Sequence, residues 1–246
     1  MSKYSAWLFL FLLVGTNAHA ADFKEANALY ESGKFREAAV AYGSIADQKK
    51  GGVVVFYNLA NAELRSGNKG KARLWYERAL KLDPRDPDVL WNLQILKNAL
   101  TDRIEPSLDP LAVSFFLKML AERYTTDESA IAVSGFLMVL AIVSFLGWKV
   151  PSIKFFSGIF RGLLLFFLGT TLFLFGLKWT QVREPSVIVL AKEVIARYGP
   201  TNKETKAFLL HEGARACVVD STKDWLYVRL EDGNEGWLPK NSCEII

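Results

Sequence analysis

At 246 residues, with 51% hydrophobic and 23% charged side chains, the chain has material for one or two small domains plus membrane spans, and it is not disordered. Its formal net charge of +4 is dispersed, since residues 21–103 carry 14 basic and 11 acidic side chains and residues 185–246 carry 8 and 9. Neither stretch has the dense basic face that phosphate backbones require, which excludes nucleic acid as a partner.

The first twenty residues, "MSKYSAWLFLFLLVGTNAHA", set one lysine before an apolar core from Trp7 to Val14 and end on the small-x-small run Ala18, His19, Ala20. This is the layout of a secretory signal peptide over 1–20, with a retained anchor helix as the other reading. Its apolar core is short for a span. Under either reading Ala21 onward emerges outside the cytoplasm.

Next, the chain matches itself at an offset of 34. Ala26, Gly33, Ala38 and Tyr42 recur as Ala60, Gly67, Ala72 and Tyr76. The spacing predicts a helix, a tight turn at glycine and a second helix, with small alanines letting paired helices approach and tyrosines filling the gap between them. Pro84 closes the second unit, and the third, about 86–103, has only its first helix and reads as a cap. The stretch "NAELRSGNKGKARLWYERALKLDP" resembles the tetratricopeptide repeat, which gives about two and a half repeats over 21–104. That resemblance implies partner binding in a groove lined by the first helices, at Asn27, Tyr30, Asn58, Asn61, Arg65 and Asn92. Asparagine amides can hold an extended peptide backbone, although helix-surface hydrogen bonding is an equal use for them. Phe23 and Asp88 stand where lysines of a carboxylate clamp would be.

"LDPLAVSFFLKMLAERY" follows, with apolar Leu111, Phe115, Leu117, Met119 and Leu120 among Lys118, Glu122 and Arg123. It reads as a helix over 108–124, lying at the membrane surface or packed on the repeats. Residues 129–148 are without charge, and 155–177 are interrupted only by Arg161, so each is long enough to cross a hydrocarbon core of about 30 Å. Between them the short turn 149–154 carries Lys149 and Lys154 and no acid, the pattern of a cytoplasmic loop. Two crossings return residue 178 to the outside. Gly158, Gly162, Gly169 and Gly176 are expected on one helix face against Ala130, Ser134, Leu137, Ala141, Ser144 and Trp148, which closes the hairpin or, alternatively, serves dimerisation.

From Pro185 the composition changes to β-branched and aromatic residues in short runs, "SVIVLAKEVIARYGP", "KAFLLHEGARACVVD", "DWLYVRLEDGNEGWLP" and "CEII", separated by turn residues. They predict four or five strands and a small barrel. "VIARYGPT", "LHEGARACVVD" and "DWLYVRLEDGNEGWLPK" resemble a bacterial SH3 domain over nearly all of 185–246. The resemblance implies a non-catalytic domain that binds cell-wall peptides or proteins, with Tyr198 and Trp225 as the exposed pair chosen from Tyr198, Trp225, Tyr227 and Trp237. At least one tryptophan is expected in the core. Cys217 and Cys243, on what should be neighbouring strands in an oxidising compartment, are permitted a disulfide or remain buried thiols.

His211, the sole histidine of the mature chain, and Cys217, six residues on, lack an orienting third group, so no enzyme is expected. Neither a metal-ligand cluster nor a cofactor fingerprint is present, and no cofactor is expected. The whole is thus a multidomain membrane protein: an all-α repeat array, a transmembrane helical hairpin and an all-β SH3-like small barrel. This order of parts resembles the BatE-type proteins of the Bacteroides aerotolerance operon. The resemblance implies a scaffold of the bacterial inner membrane, both soluble domains in the periplasm. Its partners would be membrane proteins with von Willebrand factor A domains and an associated AAA+ ATPase. The alternative is a sensor or anchor that grips peptidoglycan through the SH3 domain.

Overall fold

The computed structural model describes residues 22–104, 124–150, 152, 154–183 and 185–246. The signal peptide expected over 1–20 and nearly all of the surface helix expected over 108–124 lie outside the described residues. Two compact units result. One joins the N-terminal helices to the C-terminal strands, and the other is the segment Ser107–Pro185 between them.

In the first unit, α1 (22–31), α2 (Phe35–Ile45), α3 (Val53–Arg65), α4 (Lys69–Leu82) and α5 (Pro87–Asn98) form the repeat array. Ala26, Ala38, Ala60, Ala72 and Ala79 are fully buried, so the paired helices meet where no side chain larger than a methyl intervenes. The turns at Gly33 and Gly67 have φ of +78° and +85°. In that left-handed conformation Lys34 and Asn68 donate their N–H groups back to the Leu29 and Glu63 carbonyls, both at 2.9 Å, and satisfy the helix ends. A side chain with a Cβ would pay about 1 kcal/mol there. At the start of α5, the Asp86 carboxylate accepts from the Asp88 and Val89 N–H groups at 3.0 Å, with Pro87 at the first helical position.

Seven strands follow: β1 (Ser186–Val189), β2 (Glu193–Arg197), β3 (Lys206–His211), β4 (Arg215–Ser221), β5 (Trp225–Arg229), β6 (Glu235–Pro239) and β7 (Cys243–Ile245). They make one antiparallel sheet in the order β3-β2-β6-β5-β4-β1-β7. The count exceeds the four or five expected because the first two apolar runs each fold back on themselves, at 190–192 and 212–214. Alternation sets the core: Leu226, Val228 and Leu238 point inward with Val187, Val189, Ala196 and Leu210. The inner face is aliphatic, so the tryptophan expected in the core is not needed there.

This register also separates the cysteines. Cys217 lies opposite Ser186 and Cys243 opposite Val189, on the two sides of β1. Two strand spacings across and three residues along put them about 14 Å apart, twice the reach of a disulfide. Both are free thiols. The neighbouring-strand premise behind a Cys217–Cys243 bridge fails because β1 inserts between β4 and β7.

The β domain docks on α4. Gly70 makes the approach feasible, since a Cβ at that position would lie 2.7 Å from the Val189 carbonyl oxygen. Further along the same helix Arg73 donates to the Gly213 carbonyl at 2.7 Å, Arg78 to Glu244 and to the Ile245 carbonyl at 2.8 Å, and Lys81 to the Ile246 carbonyl at 2.7 Å. Arg78 and Lys81 thus cap the Ile245 and Ile246 carbonyls at the end of β7, an edge strand. Beyond α5, Asp102 accepts from the backbone N–H of His211 at 2.6 Å and meets its ring Nδ1 at 2.7 Å. Ile104 packs against the β core.

In the second unit, α6 (Thr126–Lys149) and α7 (Lys154–Arg183) form a helical hairpin that contains both expected spans. Thr125 and Glu128 make a reciprocal capping box at the start of α6. Residues Asp127–Lys149 and Phe155–Gly176 are long and apolar enough to cross a membrane. The hairpin does not close through its glycine row. A Cβ at Gly158, Gly162, Gly169 or Gly176 would meet nothing within 4 Å. The row one position earlier buries instead, with Ser157, Leu164 and Leu168 covered and Phe167 stacked on Phe136 at 6.4 Å. Gly147 is the small residue that matters, because Ser157 occupies the space its side chain would fill.

Candidate functional site

The asparagines expected to line the groove are organised by the tyrosines of the second helices. The Tyr42 hydroxyl donates to Asn27 Oδ1 at 2.6 Å, with the Asn58 amide beside it. In the next repeat the Tyr76 hydroxyl donates to Asn61 Oδ1. Asn92 donates in turn to Asn61 Oδ1 at 3.1 Å and to the Tyr57 hydroxyl at 2.9 Å. Burial pushes both the Tyr42 and Tyr76 phenols above the ordinary tyrosine range. Asn27 and Asn61 therefore tie the second helix of each repeat to its first, and Asn92 ties α5 to α3. Tyr30 and Arg65 meet elsewhere, around Phe35: the Tyr30 ring packs against it at 5.2 Å and the Arg65 guanidinium lies over it at 4.7 Å.

A further row was not singled out from the sequence, although it obeys the same offset of 34: Phe23, Tyr57 and Trp91. Phe23 stands edge-on to Tyr42 at 5.9 Å and Tyr57 lies 6.1 Å from Tyr76. Trp91 and Ile95 occupy the positions equivalent to Tyr57 and Asn61 on α5, where no second-helix tyrosine follows among the described residues. They are 69% and 50% exposed. The array thus presents an unfilled aromatic position at its last helix.

On the β domain, Tyr198 is exposed as expected. Trp225 is half-buried and belongs to an outward row with Tyr227 and Trp237, whose rings lie 5.1 Å apart. Glu235 fixes this row: it accepts from the Tyr227 hydroxyl at 2.7 Å and from Arg229 Nε at 2.5 Å. The hydrogen bond from Tyr227, then the Arg229 guanidinium, hold the Glu235 carboxyl below the usual range, and the same bond raises the Tyr227 phenol. His211 is engaged with Asp102, whereas the Cys217 thiol sits 4.0 Å from the Ser186 hydroxyl. Among the described residues no group of three or more His, Cys, Asp and Glu side chains is placed to hold a metal ion.

Residues 23–87 match the family model described as tetratricopeptide repeat. Repeats of this kind suggest a scaffold for protein–protein interaction. No curated protein matches the chain. Among solved structures, a NlpC/P60 family protein from Bacillus cereus is 22% identical over 27% of this chain and 22% of its own, with a TM-score of 0.23. The chain spans less than a quarter of that protein, and a likeness at this score carries no argument about fold or function. What the matches establish is a tetratricopeptide repeat region at residues 23–87 of this chain.

Proposed function

We propose that the protein is a non-catalytic, membrane-anchored scaffold of the bacterial inner membrane, with the repeat array and a bacterial SH3-type β domain both in the periplasm. The observation that carries this reading is the docking of the β domain on α4, through Gly70, Arg73, Arg78 and Lys81. Two domains that bind one another lie on one side of a membrane. The chain between them contains two helices suited to crossing, which take it over and back. The turn at Lys149 and Lys154 is then cytoplasmic. By resemblance to the BatE-type proteins of the Bacteroides aerotolerance operon, its partners are membrane proteins with von Willebrand factor A domains, joined in an envelope stress complex.

Partner contact is assigned to the exposed end of the first-helix row rather than to the asparagines, because Asn61 already accepts from both Tyr76 and Asn92. Trp91→Ala tests this. Truncating a central aromatic anchor costs about 2 kcal/mol, roughly thirtyfold in affinity. Recovery of the von Willebrand partner from detergent extracts should fall accordingly while the helical content is unchanged; recovery equal to wild type would exclude the row.

The outward row of Trp225, Tyr227 and Trp237 favours a second reading, binding to peptidoglycan. Full-length protein in detergent should pellet with purified sacculi under that reading and stay in solution under the first.

A further inference from the structure

The two ends of the helical hairpin differ in charge. At the open end Asp127 and Glu128 begin α6, whereas from Ser129 to Leu177 the ionisable side chains are Lys149, Lys154 and Arg161, all basic and all near the turn. Arg161 lies seven residues into α7, about 10 Å along its axis. Its Nε donates to the Ser157 carbonyl at 3.1 Å. A guanidinium has five donors, and no carboxylate of the described hairpin lies at this end to receive the others.

A charge at that depth is retained when it has a partner of opposite sign. Arg161, half-buried beside the closed row, is three residues from Gly158 and so its neighbour on the surface of α7. Space beside Gly158 and Gly162 is open, since a Cβ at either would meet nothing within 4 Å. From α6, Lys149 Nζ lies over the Trp148 ring at 4.4 Å, so cation and indole are held together where an interfacial aromatic belongs.

Resting on the membrane reading above, we infer that this end of the hairpin is a binding site for an anionic glycerophospholipid. The phosphate pairs with Arg161 and Lys149, and the glycerol and upper acyl chains lie against the open surface beside Gly158 and Gly162. Charge complementarity selects the ligand: three cations and no acid. The apolar helix surface beside the charges selects a lipid over a free phosphate. Bidentate pairing gives arginine its advantage over a point charge at such a place.

The test uses the full chain. Extraction comes first: protein that leaves the membrane fraction without detergent would refute the membrane reading and this site with it. Detergent-solubilised protein is then examined by native mass spectrometry with dioleoyl phosphatidylglycerol or dioleoyl phosphatidylcholine, which share chains and differ in headgroup charge. The site predicts retention of the phosphatidylglycerol on the order of tenfold greater. Arg161→Gln should remove most of that preference, and Arg161→Lys should keep part of it. Equal retention of the two lipids, in a protein that needs detergent, would overturn the site and leave the membrane reading standing. An unchanged preference in Arg161→Gln would also overturn it, as would competition by chain-free glycerophosphoglycerol at the same concentration. Should Arg161→Gln fail to accumulate, the wild-type comparison of the two lipids decides alone.

Discussion

The Tyr76 hydroxyl donates to Asn61 Oδ1, and Tyr42 makes the same bond to Asn27 one repeat earlier at 2.6 Å. The bond joins the second helix of a repeat to its first, and Asn92, which donates to Asn61 at 3.1 Å, extends it to α5. Tyr76→Phe removes one hydrogen bond and should lower stability by about 1 kcal/mol. Asn61→Ala leaves the buried phenol and the Asn92 amide short of an acceptor and should cost about 1–3 kcal/mol. Urea denaturation of the detergent-solubilised chain measures both. A midpoint unmoved by Asn61→Ala would return that residue to the groove.

The same tyrosines set a pH limit. Their folded-state pKa values are raised by burial, so the folded array binds the phenolic protons more tightly than the unfolded chain does. Their contribution is therefore fully present below the unfolded tyrosine value of about 10, and it is lost as pH rises from there through the folded values. Thermal melts followed by helical circular dichroism should show a fall in Tm beginning above about pH 10. The fall should be smaller in the Tyr42→Phe, Tyr76→Phe double variant. Equal alkaline sensitivity in both proteins would contradict the assignment.

Gly70 and Arg73 hold the β domain to the array. At Gly70 the obstructing atom is a backbone carbonyl, which cannot rotate away, so Gly70→Ala should cost about 1–3 kcal/mol in docking. Arg73 pairs with Glu77 at 3.4 Å and donates to the Gly213 carbonyl, while Arg215 of β4 also reaches Glu77 at 3.9 Å, so Arg73→Ala removes the docking bond but leaves the carboxylate one cation and should cost about 1–3 kcal/mol. Limited proteolysis should cut either variant near residues 101–104 faster than wild type. Identical cleavage would mean the interface contributes nothing.

The thiols give an independent check on the register. Cys217 and Cys243 flank β1 and cannot meet, so mild oxidation of the folded chain should leave both alkylatable after denaturation. Burial raises the Cys243 thiol, which should slow its reaction with iodoacetamide in the native protein. A mass loss of two hydrogens without unfolding would refute the strand order.

Much of this architecture was legible because it is periodic. Buried Ala26, Ala38, Ala60 and Ala72, the turns at Gly33 and Gly67, and the two apolar helices fall where offset and hydropathy put them. Contacts between distant segments were not legible. Nothing local to Gly70 or Arg73 distinguishes a helix surface from an interface, because their partners Val189 and Gly213 lie more than a hundred residues away. The cysteines misled for the same reason, since strand adjacency depends on where β1 inserts. In the hairpin, small residues pointed to the wrong face of α7: helices of large side chains close by interdigitation, and a single gap at Gly147 sufficed. Among site residues, the asparagines were recognised by type but their tyrosine partners were not. The offset of 34 marks Trp91 as the equivalent of Tyr57, but only its exposure in the structure gives it a site role.

The account depends most on the array and the β domain occupying one compartment, with the turn between α6 and α7 on the opposite side. Paired reporter fusions in a bacterial host test this directly, with alkaline phosphatase or a green fluorescent protein placed either after Ile246 or at Ser152. The account predicts phosphatase activity without fluorescence at Ile246 and fluorescence without phosphatase activity at Ser152. Fluorescence from the Ile246 fusion would contradict it.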